Sequence, residues 1–292
     1  MIISLKTEFH RIAWNGIVID VPSHWEAKVT GLCHLNFECD FKAVFELRWQ
    51  KAKADDMERF IVTFTEQYEK LAERTLQATQ PSADDSRLFH QFEVRRYCTE
   101  SDSRPALIFL YSRESALFIM LRLYKHPEIR RPLQHIQSLQ CSTSLDSSSF
   151  WSIQDFQVSI PPRFELASYT MKAGFTALHF TRGKTELRLC RLAPALQRLK
   201  LQSLEEILTS LLGDANSSAI ESLSDNACFY AATPGLLSQV ILRFKRKKPF
   251  RRARLWYDST ADRILGVFME DITPLGKSPH DDICDSYEIA QH

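Results

Sequence analysis

Apolar and polar residues alternate along 44–49, placing Val44, Glu46 and Arg48 on one face and Phe45, Leu47 and Trp49 on the other. That is the period of a half-buried strand. The period then lengthens. Met57, Phe60, Ile61, Phe64, Tyr68 and Leu71 recur at three- and four-residue steps and predict a helix with one apolar stripe lying on a sheet. Asp55 or Asp56 can accept from the free amides of its first turn, and Glu58 suits the positive end of its dipole. Residues 80–86 read as a polar loop, 89–97 and 106–111 as strands joined across 99–105, and the continuous apolar run 116–121 as a strand buried on both faces. Ile129, Leu133, Ile136 and Leu139 predict a closing helix entered near Pro127, and the serine-rich stretch 145–152 reads as a linker.

The order then returns. Val21-Pro22-Ser23-His24-Trp25 reappears as Ile160-Pro161-Pro162-Arg163-Phe164, each behind an apolar strand, and Glu46-Leu47-Arg48-Trp49 reappears as Glu186-Leu187-Arg188-Leu189. Ser203 and Glu206 form a capping box ahead of Ile207, Leu208, Leu211 and Leu212, with Gly213 as the stop. Strands follow at 240–244, 254–257 and 264–268, and the tail 280–292 reads as a short acidic helix or a frayed end. The expected fold class is therefore α+β, with two tandem copies over 1–146 and 147–292, each an antiparallel sheet covered by helices. The opening strand into Pro-x-x-Trp, followed by a meander, a helix and a second meander, resembles the PsbP-like α/β/α sandwich of the photosystem II extrinsic protein and the Ran-binding nucleotide-release factor. That resemblance implies binding and assembly, and it carries no site motif to transfer.

Composition narrows the function. With 292 residues and 44% hydrophobic content the chain can bury the cores of two domains. Its 37 basic and 36 acidic side chains leave a net charge of +1, so an electrostatic partner site has to be local. Seven cysteines without a Cys-x-x-Cys pair fit neither a disulfide framework nor a four-cysteine zinc site, and read as reduced thiols. The N-terminus meets Lys6, Glu8, His10 and Arg11 before any signal-like apolar stretch forms, and no apolar run approaches the roughly 20 residues of a membrane-spanning helix. These features give the expectation of a cytoplasmic protein.

The densest chemical signal is 243–254, where Arg243, Lys245, Arg246, Lys247, Lys248, Arg251, Arg252 and Arg254 supply eight cations in twelve residues, with Phe244 and Phe250 interleaved. On the repeat it occupies the hairpin equivalent to 99–105. Such a hairpin fits nucleic-acid phosphates, with its rings stacking on bases, and equally an acidic protein surface or anionic lipid headgroups. The plain alternative is a solvated tip neutralised by Asp281, Asp282, Asp285 and Glu288. His280, Asp281, Cys284 and His292 carry metal-binding side chains but lack a second ligand pair. Cys33-His34 with Cys39 nearby, and His179 with Cys190 in the other copy, are candidates for thiol chemistry, the alternative being buried small apolar residues. Trp25 and Phe164 either plug their own cores or line a groove. No phosphate-binding glycine loop or Gly-x-Ser-x-Gly elbow occurs. The reading is a non-enzymatic cytosolic binding or assembly protein with a protein partner, contacting an anionic partner through 243–254, without catalytic residues, metal or cofactor. The alternative is a small-molecule enzyme or ligand sensor with a pocket at the seam between copies. An exposed sheet edge leaves a homodimer open.

Overall fold

The computed structural model describes residues 8–100, 102–126, 132–142, 147–213, 219–235, 239 and 248–290, of which 51% are strand and 21% helix. The chain divides into two compact units, Met1–Thr143 with Trp151–Asp155, and Ser144–Phe150 with Phe156–Gln291.

The first unit opens with the hairpin β1 (Phe9–Trp14) and β2 (Ile17–Pro22), followed by β3 (Trp25–Gly31), β4 (His34–Cys39) and β5 (Lys42–Lys51). Then come α1 (Met57–Ala72), β6 (Leu76–Thr79), α2 (Ala83–Leu88), β7 (Glu93–Thr99), β8 (Asp102–Ser112) and β9 (Leu117–Leu123), with β10 (Gln140–Cys141) and β11 (Ser149–Ile153) closing it. Among the described residues, seven strands form an antiparallel sheet in the order β3-β4-β5-β9-β8-β7-β6. A second ladder runs β10-β2-β1-β11.

Alternation gives β3–β5 one apolar side, and that side is covered by strands. Leu35, Phe37, Phe45, Leu47 and Trp49 are buried, with the Phe37 and Phe45 rings stacked at 4.2 Å and Trp25 packed on Phe45 at 5.8 Å. Against them lies the β1–β2 hairpin, which buries Ile12, Trp14, Ile17, Ile19 and Val21. Two indoles fix its position: Trp49 donates to the Asn15 carbonyl at 3.0 Å, and Trp14 to the Leu32 carbonyl at 3.0 Å. Each fully buried side chain of this size contributes roughly 1.5–3 kcal/mol, so this sheet-on-sheet layer dominates the unit's stability. On the opposite side α1 sets Met57 and Ile61 on Leu107, Phe109, Phe118 and Met120, all of β8 and β9. The outward side of β3–β5 is left polar, and Glu26, Lys28 and Thr30 are exposed.

The second unit contains β12 (Phe156–Ile160), β13 (Glu165–Lys172), β14 (Phe175–Arg182), β15 (Thr185–Leu192), α3 (Ala195–Leu199) and α4 (Leu204–Leu212). It continues with β16 (Ile220–Ser224), β17 (Ala227–Ala232), β18 (Phe250–Asp258), β19 (Arg263–Asp271), α5 (Lys277–Ser286) and β20 (Glu288–Ile289). Its sheet runs β13-β14-β15-β19-β18-β17-β16, the same order as in the first unit. Helices α3 and α4 pack on Cys190, Leu192, Cys228, Tyr230, Ala253, Leu255 and Phe268. On the other side Tyr287 sits between Phe156 at 5.6 Å and Trp256 at 5.7 Å, and its hydroxyl donates to the Cys190 carbonyl at 3.1 Å.

This architecture corrects the α+β sandwich covered by helices, and with it the PsbP-like α/β/α assignment: in the first unit the apolar side of the large sheet meets a strand hairpin. Alternation marks an apolar face without saying what covers it. The closing helix is corrected too. Pro132–His135 is a single 3-10 turn that delivers Ile136 and Leu139 into the core before β10 pairs with β2, while Ile129 lies outside the described residues. The loop at 80–86 contains α2, started by a reciprocal box between Ser82 and Asp85. β11 begins at Ser149, inside the expected linker 145–152, and the expected strand 240–244 lies outside the described residues. The α1 span and the Ser203–Glu206 box with Gly213 at the helix end are found as read.

The two sheets can be compared position by position, since β9 and β19 pair in the same way with β5 and β15. Phe118, stacked on Phe60 at 5.3 Å and on Phe109 at 5.7 Å, corresponds to Gly266. A Cβ at Gly266 would come within 2.7 Å of both Cys190 Sγ and Leu255 Cδ1. Gly266→Ala is therefore expected to destabilise the protein by about 1–3 kcal/mol through overpacking, read as a lower urea midpoint; an unchanged midpoint would show that the core gives way freely.

Candidate functional site

Register assembles a polar site on the open side of the first sheet. β4 and β5 pair His34 with Arg48 and Asn36 with Glu46, and β5 and β9 pair Glu46 with Arg122. One face therefore gathers His34, Glu46, Arg48 and Arg122. The Glu46 side chain is only 5% exposed. Its carboxylate lies 2.9 Å from His34 Nε2, accepts from the Tyr124 hydroxyl at 2.8 Å and from Arg48 Nε, and has Arg122 at 3.9 Å. Burial alone would push this carboxyl up; the hydrogen bonds from His34, Tyr124 and Arg48 more than reverse it and hold the group at about 2. Burial and the same bond push the Tyr124 hydroxyl up to about 12. The Arg122 guanidinium lies 5.1 Å from the Tyr68 ring centre and 4.8 Å from that of Tyr124.

The second unit repeats the register, with His179 opposite Arg188, Thr181 opposite Glu186, and Glu186 opposite Glu270. Glu186 is 3.5 Å from His179 Nε2 and paired with Lys248. Burial would raise its carboxyl, and the bonds from Lys248 and His179 bring it below the usual range. Arg188 stacks on Phe268 at 4.4 Å and donates to the Leu211 carbonyl at 2.7 Å. Glu270, at the position of Arg122, is 3.4 Å from Arg251 Nε. The His-Glu-Arg lattice thus occurs twice, with different surrounding cations. Sequence reading missed Glu46, Arg48, Arg122 and Tyr124 as a group, although the repeated Glu-Leu-Arg and the histidines at 34 and 179 were its visible trace.

The basic run is divided by the strand it enters. Lys248 and Arg251 reach the Glu186 and Glu270 side of the sheet, whereas Arg252 and Arg254 point to the opposite side. There Arg252 lies 5.2 Å from the Phe229 ring, and Arg254 lies 5.5 Å from the Trp256 ring and 3.6 Å from Asp285. Arg243, Lys245, Arg246 and Lys247 lie outside the described residues. In α5, His280 is fully buried, 3.2 Å from Asp281 and 3.7 Å from Cys284 Sγ; burial pushes its pKa down and the thiol up to about 12. Among the described residues no group of three or more His, Cys, Asp or Glu side chains is arranged to hold a metal, and His292 lies outside them.

The thiol candidates are not assembled into a nucleophile and base. Cys33 accepts from the Asn15 amide at 3.3 Å, and burial raises its pKa, while His34 engages Glu46. Cys39 pairs opposite Trp25 on the apolar side. Cys190 is enclosed and pushed up to about 12 by burial, and His179 faces Glu186. Trp25 and Phe164 are both buried, the latter 4.5 Å beneath the Arg182 guanidinium.

Structures of MucB are similar over most of the chain. MucB in complex with MucA(peri) is 10% identical and covers 94% of this chain and 84% of its own, with a TM-score of 0.26. The Pseudomonas aeruginosa MucA/MucB complex gives 10%, 94%, 84% and 0.25, and MucB alone 12%, 93%, 82% and 0.20. Values this low transfer neither fold nor partner to this chain. No protein-family model matches it, and none of the curated proteins does. The cytoplasmic placement is not upheld: a thiol enclosed in a core, such as Cys190, does not mark a compartment. Cys39, Cys98, Cys190, Cys228 and Cys284 are buried.

Two outcomes are expected. Glu46 ionises more readily folded than unfolded, so its contribution, about 3 kcal/mol at most, is fully present above its unfolded value near 4.5 and lost as pH falls toward about 2. Glu46→Gln should flatten that acid limb in urea melts at stepped pH, and an unchanged limb would refute the assignment. Thiol titration of the folded protein near neutral pH should leave Cys190, Cys228 and Cys284, each pushed up to about 12, unmodified; rapid labelling of Cys190 would reinstate it as a nucleophile.

Proposed function

We propose that the chain is a protein-binding module whose contact lies on the polar side of the second sheet, where Lys248 and Arg251 join the His179-Glu186-Arg188 lattice. The observation that carries this reading is the placement of Lys248 and Arg251 beside Glu186 and Glu270. These ion pairs anchor Lys248 and Arg251 next to a partly exposed sheet face, and Arg243, Lys245, Arg246 and Lys247 precede them in sequence. Among His179, Glu186, Arg188, Lys248, Arg251 and Glu270 three cations face two carboxylates. A surface of this kind meets an acidic polypeptide, and charge complementarity sets its association rate and partner choice.

The test is binding of a fluorescent Asp/Glu-rich decapeptide to the full chain by anisotropy, beside a single-stranded oligonucleotide of equal charge. The combined Lys248→Glu and Arg251→Glu variant should weaken the peptide by about tenfold or more, roughly 1.4 kcal/mol, and added salt should weaken the parent likewise. Arg252→Gln, on the opposite side, should bind as the parent does. Equal binding by the reversed-charge variant, or tighter binding of the oligonucleotide, would overturn the reading.

A further inference from the structure

The first unit differs from the second at the strand position where Arg122 stands in place of Glu270. Arg122 lies between two tyrosine rings. Tyr124 cannot swing away freely, because its hydroxyl donates to the buried Glu46; Tyr68 projects from α1. The guanidinium carbon lies over both rings, 5.1 Å and 4.8 Å from their centres. The nearest anion, Glu46, is 3.9 Å away, beyond hydrogen-bond distance, and among the described residues no oxygen accepts a hydrogen bond from the Arg122 guanidinium, whose side chain is 26% exposed. Arg48 engages Glu46 through Nε, and its side chain is 39% exposed. Both guanidinium groups are thus held in place with N–H groups left over.

A guanidinium held by aromatic rings with N–H groups left over presents a planar fork that matches a carboxylate through two parallel hydrogen bonds. Its charge also selects among anions. With His34 neutral, Arg48 and Arg122 around one ionised Glu46 leave a single surplus positive charge, which a monoanion neutralises and a phosphate dianion exceeds. We propose that Arg122, supported by Arg48, forms a binding site for a single carboxylate, carried by an acidic side chain of a polypeptide or by a small free acid. The site is independent of the contact assigned to the second unit, since it uses other residues of another unit.

The test follows the Arg Nε–Hε resonances of the full 15N-labelled chain during titration. The probes are a pentapeptide with one glutamate and capped ends, its glutamine counterpart, acetate, and inorganic phosphate. The glutamate peptide is expected to move the Arg122 and Arg48 signals and the glutamine peptide to leave them in place. Binding of the peptide about tenfold tighter than acetate assigns the carboxylate to a polypeptide, and equal binding assigns it to a small acid. Arg122→Lys keeps the charge and loses the fork, so it should weaken the glutamate peptide about tenfold with an unchanged thermal melt. Tyr68→Leu, which removes one wall from the helix side, should weaken it as well. Equal shifts with the glutamine peptide, tighter binding of phosphate, or parental affinity in a folded Arg122→Lys variant would overturn the proposal.

Discussion

A strand has two faces, and in both units the large sheet is asymmetric. In the first, one side of β3–β5 is continuous aromatic and aliphatic surface closed by the β1–β2 hairpin through the Trp14 and Trp49 indoles. The other side is only partly covered, because α1 packs on Phe109, Phe118 and Met120 of β8 and β9. Pairing in register then carries the strands onward past the helix, and their outward residues must be compatible with water. That is why charged side chains collect on this side of β4 and β5, and why they collect in rows: register fixes His34, Glu46 and Arg122 relative to one another before any of them forms a bond.

The shared strand order makes the differences between units informative. Where Phe118 fills the space between α1 and the first sheet, Gly266 leaves it to Cys190, Leu255 and Phe268, so the second helical layer approaches a flatter surface. Where Leu107 pairs with Arg122, Arg251 pairs with Glu270. The carboxylate opposite the strand's arginine row is retained in both, while the charges around it are redistributed. In the first unit two guanidinium groups flank one carboxylate; in the second, lysine and arginine from the basic run engage two. A common scaffold thus presents two different electrostatic surfaces.

How much of this is legible in the sequence depends on the range of the interaction. The α1 stripe and the Ser203–Glu206 box are local, and the sequence contains everything needed to place them. The alternation of 44–49 likewise shows which residues share a face. It cannot show that β1 and β2, rather than a helix, cover the apolar side, because Trp14 and Leu32 meet through a backbone carbonyl that carries no side-chain signature. The Ile136–Leu139 segment illustrates another limit. Apolar spacing of three suits one 3-10 turn feeding two core residues as well as it suits a helix. For the polar site, Glu-Leu-Arg was visible twice, but Arg122 and Tyr124 lie some 75 residues from Glu46 and join it only through β5–β9 pairing. The basic run was visible as a block of charge, whereas its division between two sides of a sheet requires knowing that 250–258 is a strand.

Glu46 is where these constraints converge. Removing a carboxylate from water is costly, and a buried ion pair is often no more stabilising than a well-packed apolar substitute. The pattern around Glu46 is better understood as geometry. One oxygen faces His34 and Arg48, the other takes the Tyr124 hydroxyl, and that bond sets the ring on which Arg122 rests. Without an ionised carboxylate at this point Tyr124 would have a buried hydroxyl to satisfy elsewhere, and Arg122 would lose one of its two aromatic walls. The group that contributes charge to the interior therefore also fixes the orientation of the groups at the surface. An apolar residue of the same volume could match it in stability and would still leave Arg48 and Arg122 without a defined direction.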